Sequence, residues 1–400
     1  MPFSLLSQFL PLCLSVLGFF ISLWIVIPAP TRILLRLGVG APEISPWLVG
    51  INAIALLLLV PNLSAGWLYS SAVVCSLLSL LFSLLPLIQF PAANAQFAAK
   101  MQTVLGAGYL TQIPQTVQSQ LRPHPLNLVD VFRGIPIREV QIKRGIVFAN
   151  PDGESLKLNS YRPINPGKYP AIVVIYGGGW RSGSPDDHES FSRYLAAQGY
   201  SVVALDYRHA PQYRFPTQLE DVKAALSYIQ THTDDFDIDP ERVALIGRSA
   251  GAQLAEIAAY QSNPFPVRAV VNYYGPSNLV EGYHNPPVPN PIGTLAILRD
   301  FLGGPPNEQA ALYREASPIH YVKPNLPPTL LVYGRRDHVI RPSFGRQFHQ
   351  KLTAMGNQAI FLDIPWAEHA FDVIFHGVSN QLALYYTERF LAWALWGGGE

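Results

Sequence analysis

Gly247-Arg248-Ser249-Ala250-Gly251 is a G-x-S-x-G pentapeptide that leaves a strand-like run at residues 243–246 and opens a helix-like segment at Ala250. Its small residues permit a sharp, strained turn with Ser249 at the tip, its Oγ exposed, and the N-terminus of the new helix favours negative charge there. A serine capping a helix after a glycine turn is the bland alternative. A hydroxyl is a poor nucleophile, so a base must take its proton and an acid must orient that base. Where strands and helices alternate, the partners follow in the order Ser, Asp or Glu, His. Asp337 falls just past the strand-like LLVY, and His369 falls just past AIFLDI. Their rivals are placed less well. Asp363 is still inside its strand and Asp372 reads as entering the last helix, while His338, His349 and His376 read as surface or capping residues.

Attack by Ser249 on a carbonyl would make its oxygen anionic, and backbone N–H groups must already point at that position. Residues 171–176 form an apolar run that stops at Gly177-Gly178-Gly179-Trp180. A glycine-rich turn at the end of a strand lets bare backbone approach such an oxygen. The expected donors are the N–H groups of Gly178, Gly179 and Ala250. A phosphate-binding loop fits less well, because both the Lys-Ser/Thr pair and the GxGxxG spacing are missing and Trp180 would crowd a pyrophosphate. Trp180, Tyr176 and Arg248 are candidate substrate contacts, with structural use in a salt bridge the favoured reading of Arg248.

These positions need a scaffold, and the sequence supplies one. Strand-like segments at 140–148, 156–161, 171–176, 201–205, 243–246, 269–273, 329–333 and 359–364 are interleaved, in the later part, with helical ones at 188–198, 218–231, 250–261, 342–355 and 380–396. This predicts an α/β domain over 135–400 with a mainly parallel eight-stranded sheet and its site at the carboxyl ends of the strands. The Pro-rich interval 276–328 reads as a cap above Ser249. Arg208 and Asp221 are expected to brace a loop. Asp235, Asp237 and Asp239 read as a polar turn, since the Gly and closing Glu of a calcium loop are missing.

The amino-terminal part is different in kind. From residue 1 to 99 the only Asp, Glu, Lys or Arg side chains are Arg32, Arg36 and Glu43. Uncharged stretches at 5–27, 45–61 and 67–89, interrupted at Pro61-Asn62-Leu63-Ser64-Ala65-Gly66, predict two or three transmembrane helices within 1–91. The first lacks the basic flank and cleavage site of a secretory signal and reads as a retained span. With three spans the basic residues after the first and third lie on one side, which the positive-inside rule makes cytoplasmic. Residues 92–134 read as an amphipathic connector, with Phe97, Met101, Val104 and Leu105 at helical spacing. The composition, 49% hydrophobic and 14% charged with a net charge of +1, gives no footprint for nucleic acid. Cys13 and Cys75 lie in apolar runs and offer neither a disulfide framework nor a metal site.

From YGGGW, GRSAG, the Asp337 and His369 loops, DYRHAPQYRFPTQLEDVKAAL at 206–226 and DIDPERVALIG at 237–247, the chain resembles the serine esterases and lipases of the α/β-hydrolase superfamily. The branch is the hormone-sensitive-lipase-like and carboxylesterase one with an HGGG-type motif, and the layout is similar to membrane-anchored prenylcysteine methylesterases. The resemblance implies cofactor-free, metal-free hydrolysis of a small-molecule or lipid-like ester at a membrane, with a Ser249, Asp337, His369 triad. One departure is Tyr176, which stands where the family usually has the His that shapes the oxyanion loop; it either does the same by hydrogen bonding or simply ends a strand. A non-catalytic binding module and a peptidase on the same fold are the rival readings.

Overall fold

Eight strands form one sheet, the central ones from runs of β-branched and apolar residues: β1 (Gln141–Ala149), β2 (Leu156–Arg162), β3 (Tyr169–Ile175), β4 (Ser201–Leu205), β5 (Ile238–Arg248), β6 (Val267–Tyr273), β7 (Thr329–Gly334) and β8 (Ala359–Ile364). The structure, a computed structural model, describes residues 2–60, 66–261 and 263–397, with side chains from residue 9 onward. The expected interruption at 61–65 lies outside the described residues. The strand order is β1-β2-β4-β3-β5-β6-β7-β8. The first two pairings are antiparallel and the rest are parallel. Buried on both faces, β3 and the second half of β5, residues 243–247, read as continuous apolar runs rather than alternating ones. Register then decides what meets at the carboxyl edge. Ile175 lies opposite Gly247, so the glycine loop leaves the sheet beside Ser249. Likewise Gly334 lies opposite Ile364, which places the loops bearing Asp337 and His369 side by side.

Four helices precede the sheet: α1 (Pro2–Leu23), α2 (Arg32–Glu43), α3 (Ser45–Leu59) and α4 (Trp67–Leu105). Short helices α5 (Gln115–Gln118) and α6 (Leu128–Arg133) follow. The sheet is covered by α7 (Glu189–Ala197), α8 (Thr217–Thr231), α9 (Ala250–Tyr260), α13 (Pro342–Ala354) and α14 (Val378–Ala392). Interval 276–328 folds as α10 (Leu279–His284), α11 (Thr294–Leu302) and α12 (Ala310–Glu315) with a closing 3-10 turn.

The boundary expected near residue 92 falls inside α4, which runs unbroken for 39 residues through Pro86 and Pro91 to Gly106. The Ala- and Gln-rich stretch after Phe90 has high helix propensity, so the helix continues where the hydropathy falls. From there its apolar stripe, Phe90, Ala93, Phe97, Met101 and Leu105, is buried in the same core as the sheet. Phe97 meets Tyr386 edge-on, Phe90 stacks on Trp366, and Lys100 Nζ donates to the carbonyl of Phe361 at 2.8 Å. At its other end α4 packs with α1 and α3 in a bundle whose polarity is inverted. Ser22, Asn52 and Ser83 hydrogen-bond to one another inside it at 2.9–3.2 Å. Leu57, Trp67 and Leu77 point outward. Among the described residues one helix, α4, is long and apolar enough to cross a membrane, and α2 with α3 would count as a second only as a pair bent by 85°.

Candidate active site

Ser249 occupies the tight turn between β5 and α9 with φ 50° and ψ −121°, a conformation that costs free energy for a residue with a Cβ. The turn closes because Gly251 has no side chain: a Cβ there would lie 2.2 Å from the carbonyl oxygen of Tyr176. Ser249 Oγ lies 3.0 Å from His369 Nε2, and His369 Nδ1 lies 2.8 Å from Asp337 Oδ2. The other oxygen of Asp337 accepts from the N–H groups of Val339 and Ile340 at 2.8 and 2.7 Å, which fixes the carboxylate's direction. The three residues singled out from the sequence therefore form one hydrogen-bonded chain. Asp363, the rival acid, is instead tied up by Arg335, Arg346 and Lys100.

Gly178, Gly179 and Ala250 line the cavity that holds Ser249 and His369. Among the described residues none of the three gives its N–H to a protein acceptor. The conformation depends on glycine: Gly178 has φ 125°, and a Cβ there would sit 2.0 Å from the carbonyl oxygen of Ser182. Three uncommitted donors at one cavity wall can receive a developing oxyanion. The cavity measures about 780 Å³. Leu279 and Ile297 come to its wall from the interval expected as a cap.

The candidate substrate contacts separate. Trp180 lines the cavity, donating Nε1–H to Gln253 at 2.9 Å and stacking on Phe301 of α11 at 4.0 Å. Tyr176 does not line it. Its phenol donates to Asp206 at 2.6 Å and lies 2.9 Å from His209 Nε2, while its ring stacks on Tyr207 and leaves no room for a Cβ at Gly183. Tyr176 thus reaches the glycine loop from behind. Burial, and then the neighbouring Tyr207 and Asp206, push its phenol well above the usual range, so it stays a neutral donor. Tyr176→Phe would strand the partly buried Asp206 carboxylate without that donor, and a stability loss of about 1–3 kcal/mol in urea unfolding is expected. An unchanged midpoint would remove Tyr176 as a brace.

Arg248 also reaches the cavity wall, but its guanidinium is buried and held by Asp372. Nε donates to Asp372 Oδ2 at 2.5 Å, and the group lies over the rings of Phe191 and Tyr273 at 4.3 and 5.3 Å. Tyr274 donates to the other oxygen of Asp372 and packs against the ring of His369. Burial alone would raise the Asp372 carboxyl, yet Arg248 and His188 together with these hydrogen bonds hold it below its ordinary value. His188, 3.6 Å from Asp372, is itself pushed down to about 4 by burial and then by Arg248. It is neutral at pH 7, and that contact is not an ion pair. Asp372→Ala would leave Arg248 charged, buried and unpaired, a loss expected at about 3–5 kcal/mol by chemical denaturation. A loss below about 1 kcal/mol would mean that the aromatic faces alone suffice.

The residue pattern and the geometry agree with what the chain is similar to. A family model described as BD-FAE matches residues 158–352. Mycobacterium tuberculosis LipM, described as a probable carboxylic ester hydrolase, is 26% identical over 376 residues, covering 88% of this chain and 83% of its own. A hyperthermophilic esterase from Pyrobaculum calidifontis superposes with a TM-score of 0.56 at 26% identity, over 70% of this chain and 91% of that one. Together these matches support an α/β-hydrolase carboxylic ester hydrolase. A probable isoprenylcysteine methylesterase of Arabidopsis thaliana, ICMEL2, matches over 54% of each chain at 27% identity. The LipM alignment extends beyond the sheet-bearing part of this carboxylesterase into the amino-terminal helices, whereas the Pyrobaculum match is only slightly longer than the sheet domain alone.

Two features of the site carry no sequence signal. Glu368 Oε1 accepts from the N–H of His338 at 2.6 Å and from that of His369 at 3.0 Å, joining the acid and base loops. Its Oε2 lies 2.6 Å from His338 Nδ1, and that contact raises the imidazole above its ordinary value. The second is α2, whose Arg32 and Leu35 line the cavity although they precede Ser249 by more than two hundred residues. Arg208 does brace its loop, through a forked contact to Asp221. Asp237 and Asp239 pair with Arg162 and Arg242.

Proposed function

We propose that this carboxylesterase is a membrane-anchored serine hydrolase that works through an acyl-enzyme on Ser249. His369 Nε2 takes the Oγ proton as Oγ bonds to the ester carbonyl carbon, and the N–H groups of Gly178, Gly179 and Ala250 receive the oxyanion. Asp337 accepts the Nδ1–H of His369 and stabilises the imidazolium. On collapse the C–O bond to the alcohol breaks and Nε2 returns the proton to the departing oxygen. A water then repeats the sequence: its proton goes to Nε2, its oxygen bonds to the acyl carbon, and Ser249 leaves with the proton. The observation that carries this reading is the single imidazole bridging Ser249 and Asp337 at 3.0 and 2.8 Å. Fluorophosphonate labelling of the detergent-solubilised protein tests it. One covalent adduct on Ser249 is expected, and folded protein that takes up no label would remove the reading. Faster turnover of an anilide than of the matched ester would favour a peptidase instead.

The anchor reading rests on inverted polarity: α1, α3 and α4 hydrogen-bond inward and present leucine, isoleucine and aromatic side chains outward, the arrangement expected in lipid. Three crossings place Arg32, Arg36 and Lys100 on the same side as the sheet, the cytoplasmic side by the positive-inside rule. Retention in membranes washed with alkaline carbonate, and protease access to the hydrolase domain only in inverted vesicles, are the expected results.

A further inference from the structure

The amino-terminal segment does more than tether the domain, because α2 forms part of the wall around Ser249. Arg32 and Leu35 face the cavity. Trp24, Leu35 and Val39 pack in one apolar cluster with Val339, against which Ile340 and Ile292 also rest. Val339 and Ile340 are the residues whose N–H groups hold Asp337. Arg336 donates to the carbonyl of Val26, and Glu43 at the far end of α2 accepts from Ser379 N at 2.8 Å, where α14 begins without a side-chain cap of its own. The segment is therefore seated on the acid loop.

Its outer side is equally informative. The axis of α2 is bent by 85° from that of α3. If α3 follows the bilayer normal, α2 lies in the plane of the surface, at the end of the bundle nearest the sheet. There it exposes Ile33 at 77%, and the cap loop that reaches the same cluster through Ile292 exposes Val288 at 83%. Arg32 and Arg36 are exposed there, as suits cations in a headgroup layer.

We propose that α2 lies in the headgroup layer and walls the entrance to the Ser249 cavity. Amphiphilic esters then reach the site laterally from the bilayer instead of from water, with Ile33 and Val288 touching the membrane on either side of the entrance. The inference rests on the membrane-anchored esterase reading above, and its test separates the two. The full-length protein is reconstituted in phosphatidylcholine–phosphatidylglycerol vesicles and assayed with p-nitrophenyl palmitate, which dissolves in the bilayer, and p-nitrophenyl acetate, which dissolves in water. Adding phospholipid at constant total ester should lower palmitate turnover in proportion to its mole fraction in the bilayer and leave acetate turnover unchanged. The double variant Ile33→Glu, Val288→Glu, exposed at both positions and outside the cavity lining, should lose about tenfold on palmitate, the equivalent of about 1.4 kcal/mol of interfacial contact, and less than twofold on acetate. Palmitate turnover that ignores added phospholipid, or a variant that loses both substrates equally while keeping full fluorophosphonate labelling, overturns the proposal. Absence of acetate turnover in the wild type would sink the esterase reading, and release of the protein by carbonate would sink the anchor, each taking this inference with it.

Discussion

Alanine in place of Ser249 is expected to lower ester turnover by about a million-fold without unfolding the protein. The hydroxyl's one side-chain partner is His369 Nε2 at 3.0 Å. Alanine keeps the Cβ that the turn already accommodates at φ 50°, so the truncation removes the nucleophile and adds no new strain. What survives is the cavity and the three N–H donors, which still favour the oxyanion of a water-attacked ester, and a residual rate about a thousand- to ten-thousand-fold above water is consistent with that. His369→Ala should cost about as much. The double variant Ser249→Ala, His369→Ala should be scarcely worse than either, because nucleophile and base act as one unit. Steady-state hydrolysis of a p-nitrophenyl ester by the three variants, at matched far-UV circular dichroism, measures this. Losses below about a hundredfold, or losses that multiply in the double variant, would mean that another residue supplies the nucleophile.

The parts of the molecule legible in the sequence are those where local pattern and tertiary demand coincide. The central strand-like segments are strands because their apolar, β-branched runs are also what a sheet covered on both faces requires. The loops bearing Ser249, Asp337 and His369 were locatable because each follows such a run directly, and in this architecture strand C-termini share one edge. Three things were hidden for physical reasons. α4 crosses a composition boundary because helix propensity and burial of its Phe90-to-Leu105 stripe ignore the change in hydropathy. Arg248 and Asp372 are 124 residues apart, and nothing local to either marks a buried pair; Arg248 read rather as half of a salt bridge than as a substrate contact, but Asp372 read merely as a helix start, so the partner was hidden. Tyr176 read as a hydrogen-bonding stand-in for the loop-shaping His, as a strand end and as a substrate contact alike, because a residue at the end of β3 can point to either side of the sheet. Its partner Asp206, just past β4, is not among the residues that line the cavity.

Asp337→Asn is expected to lower kcat by about ten-thousand-fold while sparing both fold and substrate binding. The reason lies in how the carboxylate is held. Val339 N and Ile340 N donate to Oδ1 at 2.8 and 2.7 Å, so in the variant the amide oxygen must take that place, since an amide nitrogen there would face two donors. The amide NH₂ is then forced toward His369 Nδ1, 2.8 Å from the present Oδ2. A donor at that position favours the tautomer with Nδ1 unprotonated and the proton on Nε2. That tautomer cannot accept the Ser249 proton, and it leaves the imidazolium of the transition state without a counter-charge. Because the amide is isosteric and Asp337 is fully buried, KM and the unfolding midpoint should change little, and the loss should fall on kcat. The ¹⁵N shifts of His369 provide an independent readout, with Nε2 rather than Nδ1 carrying the proton in the variant. A kcat within tenfold of wild type, with the tautomer reversed, would show that orientation by Asp337 contributes little; an unreversed tautomer would show that the amide does not take the imposed orientation.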